Sequence, residues 1–212
     1  IPIAFYFIFK GSVFFIFFLS ISFFVTSYEW LNMSKKINII RIFGFIFLIL
    51  SFYSAYLLRT EQGFKIFLFV ILISIFTDTG GYIFGKIFKG PKLTKISPKK
   101  TYSGVIGSFI VSVFGGLIFV EYMDRFILDI YWNFLNFEQY GINLNLFVLC
   151  FILLTSLISQ LGDLTISYFK RGAKIKDTGK ILPGHGGLLD RIDGIIFVVP
   201  IIYLILKFGV IY

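Results

Sequence analysis

Long stretches without a charged residue constrain this chain more than any other feature of its sequence. Four such runs cover residues 12–28, 42–58, 101–120 and 139–162. Helices of this length can cross a hydrocarbon core about 30 Å thick. With 58% hydrophobic residues, the chain has too little polar surface for a soluble domain of its length. Because an alternation of period two is absent, the sequence predicts an all-α integral membrane protein.

About seven apolar segments predict a polytopic helical protein. They lie at about 1–9, 12–28, 39–58, 64–85, 103–121, 146–167 and 194–212. We interpret residues 1–212 as a single membrane-embedded domain. Because the chain starts with Ile and its first apolar segment is short, we expect its N-terminus to be truncated.

Charge is distributed unevenly over the connections between these segments. Residues 86–100 hold six lysines and no acid, and residues 170–180 hold five cations and one acid. Residues 121–138 hold four acids and one arginine. Positively charged loops stay in the cytoplasm, so we expect both basic loops inside and the acidic loop outside. The basic loops can also serve topology alone.

The end of the sixth apolar segment carries polar residues on one helix face. Asp163, Ser167, Lys170 and Arg171 are spaced at i, i+4, i+7 and i+8. An acid at the end of a membrane helix is costly and usually functional. The alternative is a structural Asp–Lys pair.

Two further acids, Asp190 and Asp193, stand at i and i+3 just before the last apolar segment. Carboxylates so close repel each other unless a cation or a proton lies between them. Mg²⁺ favours a few carboxylates together with phosphate oxygens, so Asp190 with Asp163 would suit a magnesium ion. The alternative is a salt bridge to Arg191.

The only histidine, His185, lies in the stretch Pro-Gly-His-Gly-Gly at 183–187. Glycines such as Gly186 and Gly187 let the backbone approach a ligand closely. Backbone N–H groups in such a turn can hold phosphate oxygens. His185 would then bind phosphate or carry a proton, unless its role is structural.

A third polar cluster begins with Asp78. Gly81 and Gly85 form a GxxxG pattern, which commonly indicates close helix packing. Residues 80–86 also fit part of the P-loop pattern, but Ile87 replaces the Ser or Thr that binds magnesium and no strand precedes it.

The stretch Ser-Pro-Lys-Lys-Thr at 97–101 follows. Lys99 and Lys100 offer two charges at a membrane surface, and Ser97 and Thr101 offer hydroxyls. A triphosphate or an anionic lipid headgroup would suit this stretch.

The 27-residue segment SYFKRGAKIKDTGKILPGHGGLLDRID at 167–193 resembles the signature of phosphatidate cytidylyltransferases, also called CDP-diacylglycerol synthases. The resemblance extends to the stretches ISPKKTYSG and DTGGYIFGK. The family often has Trp-Glu-Gly where this chain has Tyr102, Ser103 and Gly104. The match runs roughly from residue 77 to the end, and we expect the catalytic half at about 77–194.

The resemblance implies the reaction of CTP with phosphatidate to give CDP-diacylglycerol and pyrophosphate. It implies Mg²⁺, with a second cation left open, and places the enzyme in phospholipid synthesis. We expect a multi-pass protein of the bacterial inner membrane with its active site on the cytoplasmic side. CTP, phosphatidate and the bilayer are the expected partners, nucleic acid is not, and a homodimer stays open.

The resemblance also assigns residues. The implied metal carboxylates are Asp163 and Asp190, with Asp193 as a weaker third. The expected catalytic residues are Asp163, Lys170, Arg171, Lys176, Asp177, His185, Asp190 and Arg191. The expected substrate-binding residues are Asp78, Ser97, Lys99, Lys100, Thr101, Ser167, Gly186 and Gly187.

Two other functions stay open at this point. A CTP-dependent kinase acting on a polyprenol or phytol would share the basic loops and the acids. We would not expect it to hold the complete run from 167 to 193. An anion transporter would also place acids in the membrane, but it would not need phosphate-binding features on one side only.

Overall fold

The computed structural model describes residues 2–35, 38–94, 97, 100–122, 144–181 and 186–208. Over these ranges the regular secondary structure is helical, the helices are joined by turns and loops, and an isolated antiparallel bridge pairs Lys92 with Thr101. The helices are α1 (Pro2–Lys10), α2 (Ser12–Met33), α3 (Asn38–Glu61), α4 (Phe64–Phe88), α5 (Tyr102–Tyr122), α6 (Leu144–Gly172), α7 (Leu189–Ile192) and α8 (Ile195–Phe208).

The predicted all-α membrane fold is confirmed. Helices α2 to α6 are each long and apolar enough to cross a membrane. Each of the seven apolar segments contains a helix, but α1 has nine residues and the described part of α8 has 14. Since a straight crossing needs about 20 residues, the estimate of about seven spans corresponds to five full-length helices and two shorter ones.

Large apolar side chains point both into the bundle and away from it. Phe69 and Ile152 are fully buried between helices, whereas Phe24, Phe43 and Phe114 are about 70% exposed on its outer surface. A soluble protein rarely exposes contiguous apolar surface on this scale. The outward-facing side chains therefore fit contact with lipid.

Helices α4 and α5 pack so closely that only glycine fits between them. A Cβ atom on Gly80 would lie 2.5 Å from the carbonyl oxygen of Gly107, and one on Gly81 would lie 2.7 Å from Oγ of Ser108. Gly85 faces Thr101 and Gly104 one turn further on. The close-packing interpretation of the GxxxG pattern is thus confirmed.

Buried hydroxyl groups join α4, α5 and α6 within the apolar bundle. Thr77 Oγ1 donates to Ser156 Oγ at 2.9 Å, and Ser108 Oγ donates to the Thr77 carbonyl at 2.8 Å. A polar group in an apolar interior is costly unless it is hydrogen-bonded. These contacts hold the three helices in register just below Asp78.

Two loops and the end of α2 meet at one end of the bundle, which we call the basic end. Lys100, in the α4–α5 loop, contacts Asp163 of α6. Glu29, near the end of α2, contacts Thr178 in the α6–α7 loop. Glu61, Tyr203 and Lys207 lie at the other end, which we call the opposite end.

Candidate active site

Two side chains contact the Asp163 carboxylate at the basic end. Lys100 Nζ lies 2.6 Å from Asp163 Oδ2, and Ser167 Oγ donates to Asp163 Oδ1 at 3.3 Å. The Ser167 contact is the i, i+4 neighbour that the helical spacing predicts. The side chains of Lys100 and Asp163 are only 24% and 28% exposed. The ion pair is therefore shielded from much of the water that would weaken it.

Lys170 and Asp190 form a second and more deeply buried ion pair. Lys170 Nζ donates to Asp190 Oδ1 at 2.9 Å, and both side chains are about 10% exposed. The same ammonium group lies 4.0 Å from Asp193 Oδ2. Lys170, in the last turn of α6, is thus fixed between the carboxylate of Asp190, within α7, and that of Asp193, which directly follows α7.

Asp190 also closes the α6–α7 loop. Its Oδ2 accepts the backbone N–H of Thr178 at 2.8 Å and that of Gly187 at 3.0 Å. Burial alone would raise the pKa of Asp190, but the hydrogen bonds from Lys170, Gly187 and Thr178 and the charge on Lys170 lower it. Both oxygens of this carboxylate are therefore already in use within the protein.

Asp193 stands in a different environment from Asp190. It is buried, and its Oδ1 accepts the N–H of Gly194 at 2.9 Å. Burial, followed by the negative charge of Asp163, raises the pKa of Asp193 well above its ordinary value. Lys170 only partly opposes this shift, and the charge of Asp78 adds to it.

The acids Asp78, Asp163 and Asp193 therefore converge between two lysines. Asp78, on an exposed part of α4, lies within electrostatic range of Asp163 and Lys100. Like charges gathered in this way need a proton or a cation between them. In the described ranges, no group of three or more histidine, cysteine or acidic residues has the spacing of a metal centre.

Mg²⁺ nevertheless suits the donors present at this cluster. It commonly binds one or two carboxylates and takes its remaining ligands from water and phosphate oxygens. The carboxylates of Asp163 and Asp193 are the pair that the fold brings together, since each lies within electrostatic range of the other. The chemistry of these oxygens fits such an ion once a substrate supplies phosphate.

The predicted residues of the α4–α5 loop have local hydrogen bonds. Thr101 Oγ1 accepts the N–H of Gly104 at 3.1 Å and so caps the start of α5. The Ser97 carbonyl accepts the N–H of Lys100 at 3.0 Å, which closes the turn before Thr101. Lys99 lies outside the described residues.

The remaining predicted residues lie around the α6–α7 loop. Lys176, Asp177 and Arg191 are exposed, and the Arg171 guanidinium donates to the Ile175 carbonyl at 3.3 Å. His185 lies outside the part of the chain that the structure describes.

Glycine is required at both predicted positions of this loop, by backbone conformation at Gly186 and by close approach of other groups at Gly187. Gly186 has a φ of +86°, a conformation that strains other residues. A Cβ on Gly187 would lie 2.2 Å from Thr178 Oγ1 and 2.6 Å from Glu29 Oε2. The groups that approach these glycines in the structure thus belong to the protein itself.

Glu29 is the residue that sequence reasoning missed. It is 1% exposed, and its carboxylate accepts hydrogen bonds from Thr178, Leu188 and Leu189. One signal for it was present, because Glu29 is the only charged residue between Lys10 and Lys35. Such an acid in an apolar helix is a functional candidate by default.

Comparison with known proteins shows which family the chain belongs to. A model of the cytidylyltransferase family matches residues 36–209. A phosphatidate cytidylyltransferase of Rickettsia typhi is 39% identical over 177 residues, which cover 82% of this chain and 73% of that protein. Proteins of the same name from Staphylococcus saprophyticus and Staphylococcus aureus are each 39% identical, over 71% and 69% of this chain.

The chain spans 53% and 50% of the lengths of the two staphylococcal relatives. The region matched by the family model contains Lys100, Asp163, Lys170 and the α6–α7 loop, and so most of the charged cluster described above. Because that model covers most of the chain, the chain belongs to the cytidylyltransferase family.

Proposed function

We propose that this protein transfers CMP from CTP to phosphatidate, giving CDP-diacylglycerol and pyrophosphate. The observation that carries the proposal is the series of buried and partly buried charges at one end of a membrane bundle, formed by Lys100, Asp163, Asp193, Lys170 and Asp190. The family match and the name shared by the relatives indicate the reaction. The single-domain organisation and the catalytic half at about 77–194 stay predictions.

The chemistry requires positioning more than an activated side chain. A phosphate oxygen of phosphatidate forms a bond to the α-phosphorus of CTP, and the bond from that phosphorus to the bridging oxygen of the β-phosphate breaks. Pyrophosphate leaves with the electron pair of the broken bond. Because the phosphate of phosphatidate is already an anionic nucleophile, the main obstacle is to hold two polyanions in line.

Lys100 and Lys170 would hold the phosphate oxygens. An ammonium group has three N–H donors, so a lysine that donates one hydrogen bond to a carboxylate, as Lys170 does to Asp190, can still donate to a phosphate. The aspartates fix the two ammonium groups in place before the substrate arrives. Such preorganised charge is worth most in a site from which water is largely excluded.

We propose that Asp163 and Asp193 would hold Mg²⁺. When bound, the ion would offset the negative charge that develops on the transferred phosphoryl group and on pyrophosphate. Asp190 stays a predicted ligand, but it would have to give up its contact with Lys170 or with the loop N–H groups. A second cation stays a prediction.

The membrane itself explains the location of the site. A cluster at the end of a bundle lies where a water-soluble nucleotide and the headgroup of a lipid can both reach it. We propose that the basic end faces the cytoplasm of a bacterial cell, at the inner membrane, because the loops at this end are rich in lysine. A homodimer stays a prediction that light scattering of the solubilised protein would test.

Cysteine labelling in sealed vesicles tests this orientation. Lys92→Cys and Lys174→Cys, each in a Cys150→Ser background, should react with an impermeant reagent from the cytoplasmic side. Asn136→Cys, at a position outside the described residues, should react from the opposite side. Reaction of Lys92→Cys and Asn136→Cys from the same side would contradict the proposed topology.

Labelled CTP separates the proposed reaction from the two rivals. With phosphatidate and Mg²⁺, α-labelled CTP should place its label in lipid and γ-labelled CTP should place it in pyrophosphate. A lipid kinase would give the reverse pattern, and an anion transporter would not consume CTP. Label from the γ-phosphate in the lipid fraction, without label from the α-phosphate, would replace this proposal with the kinase.

A further inference from the structure

A buried carboxylate on α2 binds Thr178, within the α6–α7 loop, and the residues where this loop meets α7. Glu29 Oε1 accepts the N–H of Leu188 at 3.0 Å, and Oε2 accepts the N–H of Leu189 at 2.8 Å. The hydroxyl of Thr178 also donates to Oε2, at 3.1 Å. Thr178 lies within the loop and Leu188 directly precedes α7, so the Glu29 side chain connects these two positions.

Glu29 and Asp190 hold the same part of the loop by different atoms. Asp190 accepts the backbone N–H of Thr178, whereas Glu29 accepts its side-chain hydroxyl. Asp190 accepts the N–H of Gly187, and Glu29 accepts the N–H groups of the next two residues. The two carboxylates thus form a double clasp around Thr178, and Asp190 is also the residue that holds Lys170.

The loop is shaped closely around the Glu29 carboxylate. A Cβ atom on Gly179 would lie 2.5 Å from Glu29 Oε1, and one on Gly187 would lie 2.6 Å from Oε2. Real Cβ atoms essentially never come this close to a neighbour. Two glycines of the segment that resembles the family signature are therefore required by a residue that lies before the start of the family match at residue 36.

A buried carboxylate is not the energetically most favourable contact for holding a loop. Burying a charge is costly, and an apolar contact of the same size often stabilises a protein at least as well. What the carboxylate adds is direction, because its two oxygens fix three donors at once. The role of Glu29 therefore follows from what the loop does: the loop positions Asp190, and Asp190 positions Lys170.

We propose that Glu29 is a positioning residue for nucleotidyl transfer: it holds the α6–α7 loop so that Asp190 fixes Lys170 beside Asp193. This inference rests on the proposed function for its kinetic consequence. The clasp itself is a property of the fold that can be measured without turnover.

The variant Glu29→Gln tests the proposal with little change of shape. An amide offers one acceptor oxygen and one NH₂ donor, so the donor group must face either Leu188 N–H or the pair of donors at Oε2. At least one contact of the clasp is lost. The matched control is Glu61→Gln, which removes a carboxylate from the opposite end of the same bundle.

We expect Glu29→Gln to lower kcat by roughly 10- to 100-fold, because a small displacement of positioned groups has effects of this size. The KM for CTP should change much less, and Glu61→Gln should keep the wild-type kcat. Amide hydrogen exchange at residues 187–189 should become faster in Glu29→Gln, while exchange in α4 and α5 stays unchanged. A residue that only stabilised the fold would leave the kcat of the folded, monodisperse fraction unchanged.

Wild-type kcat in folded Glu29→Gln would overturn the proposal. If this variant yields no folded protein, Thr178→Val decides, since it removes one donor to Glu29 and keeps the backbone contact with Asp190. It should lower kcat by about 3- to 10-fold, given the strength of one such hydrogen bond, and an unchanged kcat would overturn the proposal. Failure of the wild-type protein to transfer CMP would instead remove the proposed function, and the exchange measurement would still test the clasp.

Discussion

The two ends of the helix bundle both carry lysine–carboxylate pairs, but in very different surroundings. At the opposite end, Lys207 and Glu61 lie 3.9 Å apart with side chains 47% and 42% exposed. At the basic end, Lys170 and Asp190 lie 2.9 Å apart and are about 10% exposed. The first arrangement is what a surface tolerates at little cost, whereas the second requires specific partners for each charge.

The balance of charge also differs between the two ends. Glu61 meets one cation and one hydroxyl, so its surroundings are close to neutral. The acids Asp78, Asp163 and Asp193 crowd together, and the lysines beside them do not prevent the pKa of Asp193 from rising. A protein designed by stability alone would avoid such a cluster. Buried acids with a shifted pKa are therefore a better guide to function here than the number of ion pairs.

Among the substitutions at the basic end, replacement of Asp163 should reduce activity the most. Asp163→Asn weakens the contact with Lys100, removes one charge of the acid cluster and takes away a proposed metal ligand. We expect activity to fall by about 10³-fold, which corresponds to several kcal/mol of transition-state stabilisation. Transfer of α-label from CTP to phosphatidate, at saturating Mg²⁺, measures the loss. Turnover near the wild-type level would remove Asp163 from the reaction.

Asp190→Asn should have the next largest effect, through both charge and loop structure. The change leaves Lys170 without its closest buried acid and turns one acceptor oxygen into a donor that faces either Lys170 or the loop N–H groups. We expect a loss of about 10²-fold in kcat, because a buried charge loses its pair. Exchange of the backbone amide hydrogens of Thr178 and Gly187 should also become faster in this variant. Unchanged exchange at both residues would show that Asp190 does not close the loop.

A single methyl group at Gly187 should also disturb the basic end. Gly187→Ala would place Cβ within 2.2 Å of Thr178 Oγ1 and 2.6 Å of Glu29 Oε2, so the loop must shift. We expect kcat to fall by about tenfold, as for a displaced positioning group. Gly172→Ala is the matched control, since nothing lies within 4 Å of the added Cβ. Equal activity of the two variants would contradict the role given to this close approach.

Sequence patterns could predict local features of this molecule. The apolar runs predicted the helices, the GxxxG pattern predicted the packing of α4 against α5, and helical spacing predicted the contact of Ser167 with Asp163. Each depends on residues within one helix or on general rules of membrane packing. The run of lysines in two loops also indicated, correctly, that both lie at one end of the bundle.

Long-range pairing could not be predicted in the same way. The helical face suggested that Asp163 and a lysine of α6 could pair, yet Lys170 is seven residues away, or about 10 Å along a helix. In the structure Asp163 pairs with Lys100, and Lys170 pairs with Asp190. The contact of Glu29 with Thr178 joins residues 149 positions apart. Such contacts depend on how the helices assemble, which the local pattern does not specify.

The smallest effect is expected at the opposite end, from Glu61→Gln. This change removes the pairing with Lys207 and weakens the bond that Tyr203 donates at 2.8 Å. Exposed pairs contribute little to stability, so the melting temperature in detergent should change by less than about 2 °C. The kcat for CMP transfer should equal that of the wild type, because no described contact links Glu61 to the basic end. If Glu61→Gln instead lowered kcat as much as Gly187→Ala, the two ends would be coupled. The difference in burial between them would then no longer separate structural charges from functional ones.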